Sequence, residues 1–115
     1  MRKVDIRYTL LLDYYGSLLP KKQYDIANLY YNDDLSLSEI ADELGITRQG
    51  VRDGLERAEN SLRSYDEALA LVEKNRIITE AVKNIKSLAN SLSGKIDGEI
   101  IAEIEKSCDT ITLKG

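Results

Sequence analysis

Residues 36–55 read SLSEIADELGITRQGVRDGL, and this stretch decides the fold. Ser36-Leu37-Ser38-Glu39 is a capping box, in which the Ser36 hydroxyl accepts from the third helical amide while Glu39 reaches back to the Ser36 amide. A short helix over about 37–44 follows, and Gly45 ends it, because glycine enters the left-handed backbone of a tight turn without steric cost. Thr47 suits the N-cap of a next helix that begins at Arg48. Ile40, Leu44, Ile46 and Val51 fall where two short helices crossing steeply share a small core, and Ala41 is small where the second helix packs over it. The pattern is a helix-turn-helix over residues 36–63.

Toward the C-terminus the helical pattern runs on to about Lys74. Val51, Leu55, Ala58, Leu62, Tyr65, Leu69 and Val72 alternate spacings of four and three, a heptad stripe that requires a partner surface. The short N-terminal unit offers too little surface to cover it. Two partners fit: a second copy in a symmetric homodimer, or the next helix, at 77–92, packed back antiparallel. That helix is marked by Ile77, Ile78, Ala81, Val82, Ile85, Leu88, Ala89 and Leu92, and Ile100, Ile101 and Ile104 mark a last one after Gly98.

Toward the N-terminus, apolar residues crowd from Val4 to Tyr15 and Gly16 supplies a stop, which predicts a first helix. Pro20 suits the first turn of a second helix, where Lys21 and Lys22 also lie. Its Ile26, Ala27, Tyr30 and Tyr31 recur at helical spacing before Asn32-Asp33-Asp34 breaks the pattern. No stretch alternates as a strand does. The expected fold class is all-α: a helix-turn-helix domain over 1–65 of winged-helix-like or related type with a long helix, and a C-terminal helical extension over 66–115 packed with it as one domain.

A length of 115 residues suits one compact domain. With 43% hydrophobic and 31% charged residues the chain is too apolar for a disordered tail, yet no uncharged run nears the ~18 residues of a membrane span. Asp5, Arg7 and Asp13 interrupt any leader-like apolar region, so a cytoplasmic location is expected. Cys108 is the only cysteine and there is no histidine, which excludes an intrachain disulfide and a Cys/His metal site, and removes the commonest acid–base side chain. Cys108 reads as a half-buried apolar residue of the last helix. The carboxylates are spread over helix surfaces without a convergent group to tune them, so neither catalysis nor a cofactor is expected.

The second helix of the motif turns Arg48, Gln49, Arg52, Asp53 and Glu56 away from Val51 and Leu55. Two arginines and a glutamine suit phosphate and base contacts, with Lys21 and Lys22 in support. Against this stand a net charge of −4 for the chain and −2 for residues 36–65, where Arg48, Arg52, Arg57 and Arg63 face Glu39, Asp42, Glu43, Asp53, Glu56 and Glu59. Gly50 and Gly54 each weaken a helix by about 1 kcal/mol relative to alanine. Close approach of another backbone, or ordering by a partner, would account for them.

Tyr14-Tyr15 with Leu18-Leu19, the run Leu29 to Ala41, Gly45 to Val51, and Asp53, Arg57 and Glu59 together resemble the YlxM-like helix-turn-helix proteins over about residues 10–70. More distantly, the motif is similar to the promoter-reading region of bacterial sigma factors (region 4). Those factors carry a longer side chain at the position of Gly50 and an uncharged or basic one at Asp53. The family resemblance implies a bacterial protein associated with the signal recognition particle pathway, with a regulatory or accessory role and no catalytic residue. Two functions are consistent with these residues. In one, Arg48, Gln49, Arg52, Lys21 and Lys22 bind DNA or the particle's structured RNA. In the other, the motif is a scaffold and the protein docks on a protein component of the particle, using its acidic balance, apolar stripe and the pairs Tyr14-Tyr15 and Tyr30-Tyr31. Those tyrosines otherwise read as core.

Overall fold

The computed structural model describes residues 6–112, which form α1 (Ile6–Tyr15), a 3-10 turn (Gly16–Leu18), α2 (Lys21–Tyr31), α3 (Leu37–Leu44), α4 (Arg48–Leu69), α5 (Leu71–Ser91) and α6 (Gly98–Thr112). The fold is all-α, with an isolated bridge between Ser93 and Ile96 and no strand among the described residues. The chain divides into two compact units, Met1–Val72 and Glu73–Gly115. The expected start of the first helix at Val4 lies outside the described residues.

In the first unit, α1, α2 and α3 all pack on α4. Tyr15, Ile26, Ile40, Val51 and Leu62 are the largest fully buried side chains, drawn from all four helices. The heptad stripe therefore finds its partner inside this unit: Val51, Leu55, Ala58 and Leu62 are buried against α1, α2 and α3, and Tyr65 and Val72 pack on the same core. This corrects the expectation that the stripe needs a second copy or the helix at 77–92. Three short helices lying across one side of α4 present more surface than their lengths imply. Only Leu69 of the stripe stays open, at 42% exposure.

The long helix also ends earlier than its periodicity predicts. α4 stops at Leu69, and Ala70 takes a left-handed conformation with φ 50° and ψ 39°. The break is fixed by Tyr15. Its buried hydroxyl donates to Asp66 Oδ1 at 2.7 Å and accepts the Leu71 amide at 2.8 Å, tying the last turn of α4 and the first residue of α5 to α1. Burial, reinforced by the Asp66 bond, holds the Tyr15 phenol above its ordinary pKa. Pro20 likewise stands at the N-cap of α2 and not within its first turn.

A tyrosine cluster closes the other end of the core. The Tyr8 and Tyr31 rings stack at 5.7 Å, Tyr30 meets Tyr31 edge-on at 5.0 Å, and the Tyr31 hydroxyl donates to Glu59. Burial first, and the Glu59 carboxylate second, hold the Tyr31 phenol well above the usual tyrosine range.

The second unit is a helical hairpin. α5 and α6 are joined by a short loop in which Gly94 adopts φ 83°, and Lys86 reaches Asp109 at 2.6 Å. Val82, Ala89 and Cys108 are buried, so Cys108 is more deeply covered than its sequence context suggested.

Candidate nucleic-acid interface

The motif is built as its local chemistry dictates. Ser36 accepts the Glu39 amide at 3.1 Å while Glu39 Oε1 accepts the Ser36 amide at 2.8 Å, completing the capping box of α3. Gly45 turns the chain at φ 68°, and Thr47 Oγ1 caps α4 by accepting the Gly50 amide at 2.9 Å. Ile40 and Val51 are fully buried and Ala41 nearly so, which locks the crossing of the two helices. α4 is thereby held with its N-terminal turns projecting Arg48, Gln49, Arg52, Asp53 and Glu56 into solvent.

At 100° per residue these exposed positions sort into three strips. Arg48 and Arg52 lie on one flank. Gln49, Asp53 and Glu56 form the outward ridge, where Gln49 Nε2 donates to Asp53 Oδ1 at 2.9 Å. Gly50, Gly54 and Arg57 lie on the opposite flank, and there α2 comes close. Pro20, Lys22, Gln23 and Ile26 line one wall of a cleft of about 420 Å³ whose other wall is Gly50, Asp53, Gly54 and Arg57. The surface is thus basic, acidic and basic in succession.

This arrangement places the sequence-predicted residues in two groups. Arg48, Gln49 and Arg52 share the exposed side of α4, whereas Lys22 stands across the cleft from Arg57. Lys21 is exposed and paired with Asp25 at 2.8 Å, and this bond raises its pKa. Arg57 joins Lys22 only because α2 crosses α4 here, a tertiary fact that the spacing of basic residues along α4 does not carry. The sequence signal for this approach was Gly54. A β-carbon there would stand 2.5 Å from Ile26 Cδ1, so glycine admits the α2 side chain at close range. The close neighbour is a side chain and not the backbone anticipated from the two glycines. At Gly50 the crowding is slight, the nearest atom being the capping Thr47 Oγ1 at 3.1 Å.

The family model described as "Putative helix-turn-helix protein, YlxM / p13 like" matches residues 3–104. The chain belongs to this family. Among its YlxM-like relatives, a UPF0122 protein of Desulforamulus reducens is 45% identical over 101 residues, covering 88% of this chain and 84% of the relative. One from Acetivibrio thermocellus is 43% identical over 107 residues, covering 89% and 91%. One from Clostridium acetobutylicum is 38% identical over 112 residues, covering 94% and 97%. Within this YlxM-like chain the tyrosine pairs belong to the core: Tyr15 and Tyr31 are buried, and Tyr14 and Tyr30 pack against that core half-buried. No cluster of metal-ligating side chains occurs among the described residues, and no described helix is long and apolar enough to cross a membrane.

Proposed function

We propose that this protein is a non-enzymatic, cytoplasmic regulatory or accessory protein that binds nucleic acid through its helix-turn-helix. The observation that carries the reading is the pair of basic flanks, Arg48 with Arg52 and Lys22 with Arg57, on either side of the outward ridge of α4. A recognition helix lying in a groove meets a phosphate backbone on each flank and base edges at its crest. Gln49 suits adenine there, and Asp53 and Glu56, unfavourable toward phosphate, suit the amino group of cytosine. Lys21 adds a further cation at the start of α2. The nucleic acid is duplex DNA or the structured RNA of the signal recognition particle, and a place in that particle's pathway follows from the YlxM-like resemblance. The protein acts as a homodimer. Docking on a protein component of the particle draws less support from the structure, because the tyrosines and most of the heptad stripe it would use lie in the core.

A mobility shift at ~50 mM and ~200 mM salt, with a duplex DNA library and with the particle RNA, tests the reading. Four phosphate contacts lose on the order of a hundredfold in affinity over that range. Absence of binding to either probe at the lower salt overturns it.

A further inference from the structure

Among its described residues the second unit leaves more large aliphatic side chains exposed than it buries. Val82, Ala89 and Cys108 are its buried apolar residues among those described, while Ile78, Ile85, Leu88, Leu92, Ile100 and Ile111 are each 40% to 60% exposed. Helical geometry gathers these six on one side. Along α5, Val82, Lys86 and Ala89 form the stripe turned to α6, as burial of the first and last and the Lys86–Asp109 ion pair show. Ile78, Ile85, Leu88 and Leu92 form the adjoining stripe, rotated to one side of it. On α6, Ile100 and Ile111 are rotated from Cys108 in the same sense along the chain. Because the two helices run antiparallel, equal rotations bring both open stripes to the same face of the hairpin.

We propose that this face is a homodimer interface, closed by the same face of a second copy. Four features favour a second copy as the occupant. The six residues expose on the order of 550 Å² of surface, near the upper end of the largest apolar patch that a monomer ordinarily leaves open. Paired across a two-fold axis and with their polar rim included, two such patches reach the ~1,200 Å² at which stable interfaces begin. Between Ile78 and Leu92 the α5 stripe carries no ionised side chain, and Lys74, one turn before Ile78, and Glu103, at the margin on α6, are opposite in sign, so two identical copies can be apposed without like charges meeting at the centre. Along α5, β-branched Ile78 and Ile85 alternate in heptad register with Ala81 and Leu88, the pattern that favours two-stranded helix pairing. The inference supplies the surface for the self-association within the proposed function and stands apart from its nucleic-acid contacts.

Sedimentation of the full chain from about 1 to 100 µM tests it, a range that brackets micromolar dimers. The expected result is a wild-type dimer, with Ile85→Asp and Leu88→Asp each weakening dimerisation at least about thirtyfold, as loss of a central interface anchor does. Leu10→Asp, an equally exposed leucine on α1, leaves the dimer intact. Circular dichroism verifies that each variant is folded, and Leu88→Ser substitutes for any that is not. A wild-type monomer throughout overturns self-association and this interface together. A dimer that persists in both α5 variants overturns the interface alone.

Discussion

Tyr15 and Asp66 meet across 51 positions of sequence, the tyrosine hydroxyl donating to Oδ1 at 2.7 Å while it accepts the Leu71 amide. One buried oxygen thus satisfies groups on both sides of the α4–α5 junction. Tyr15→Phe keeps the ring and removes both bonds, leaving the Leu71 amide and a carboxylate oxygen short of partners. The expected loss is about 1.5–3 kcal/mol, the range for hydrogen bonds involving a charged group. Urea unfolding measures it, and hydrogen exchange at Leu71 is expected to speed up more than at Val51.

Ala70 sits at φ 50°, a conformation that disfavours a β-carbon by about 1–2 kcal/mol. Ala70→Gly removes that strain but adds freedom to the unfolded chain. The net expectation is a gain of about 0.5–1 kcal/mol, read as a rise in the urea midpoint. A loss of stability would show that the Tyr15 bonds hold a backbone already at rest.

Alkali is expected to unfold the first unit. Tyr15 and Tyr31 both titrate above their ordinary value of 10.0 in the folded protein, burial being the largest cause for each. Between the unfolded and folded pKa the native state binds more protons, so stability is fully present below pH ~10 and falls as the pH rises beyond it. Thermal melts at about pH 8 and pH 11 check the sign. Tyr31→Phe is expected to flatten the decline, because it removes one of the two linked protons.

The difference between what was legible and what was not follows from range. Ser36 with Glu39, Gly45 and Thr47 act within four residues, so α3, the turn and the start of α4 are readable from sequence to the residue. The break at Ala70 has no local signal, since alanine is the best helix former, and it is imposed by a tyrosine on α1. The site divides in the same way. Arg48, Gln49 and Arg52 share a face by helical geometry alone, whereas the meeting of Lys22 with Arg57 depends on how α2 crosses α4. Gly54 carried the hint of that crossing without naming the neighbour.

Gly54→Ala tests the crossing directly. Within a helix this change ordinarily stabilises by roughly 1 kcal/mol. Here the new β-carbon falls 2.5 Å from Ile26 Cδ1, and overpacking of this kind costs about 1–3 kcal/mol. Ile26→Val removes the opposing methyl. The double variant is therefore expected to be more stable than the sum of the single changes predicts, with a coupling of 0.5 kcal/mol or more on the order of contacting pairs. Additive effects would mean that α2 moves aside freely.

The two basic flanks of α4 make separable predictions for binding. If each cation neutralises one phosphate, Arg48→Ala with Arg52→Ala lowers the slope of log affinity against log salt by about 1.8, and Lys22→Ala with Arg57→Ala lowers it by a similar amount. The ridge behaves oppositely. Asp53→Asn and Glu56→Gln remove charges that repel the polyanion, so affinity for random duplexes rises at low salt while any preference for particular bases falls. Titrations of the four variants on one specific and one random probe distinguish these effects. A slope that changes for the Arg48 and Arg52 flank but not for Lys22 and Arg57 would mean that nucleic acid passes along one side of α4 and never enters the cleft beside α2.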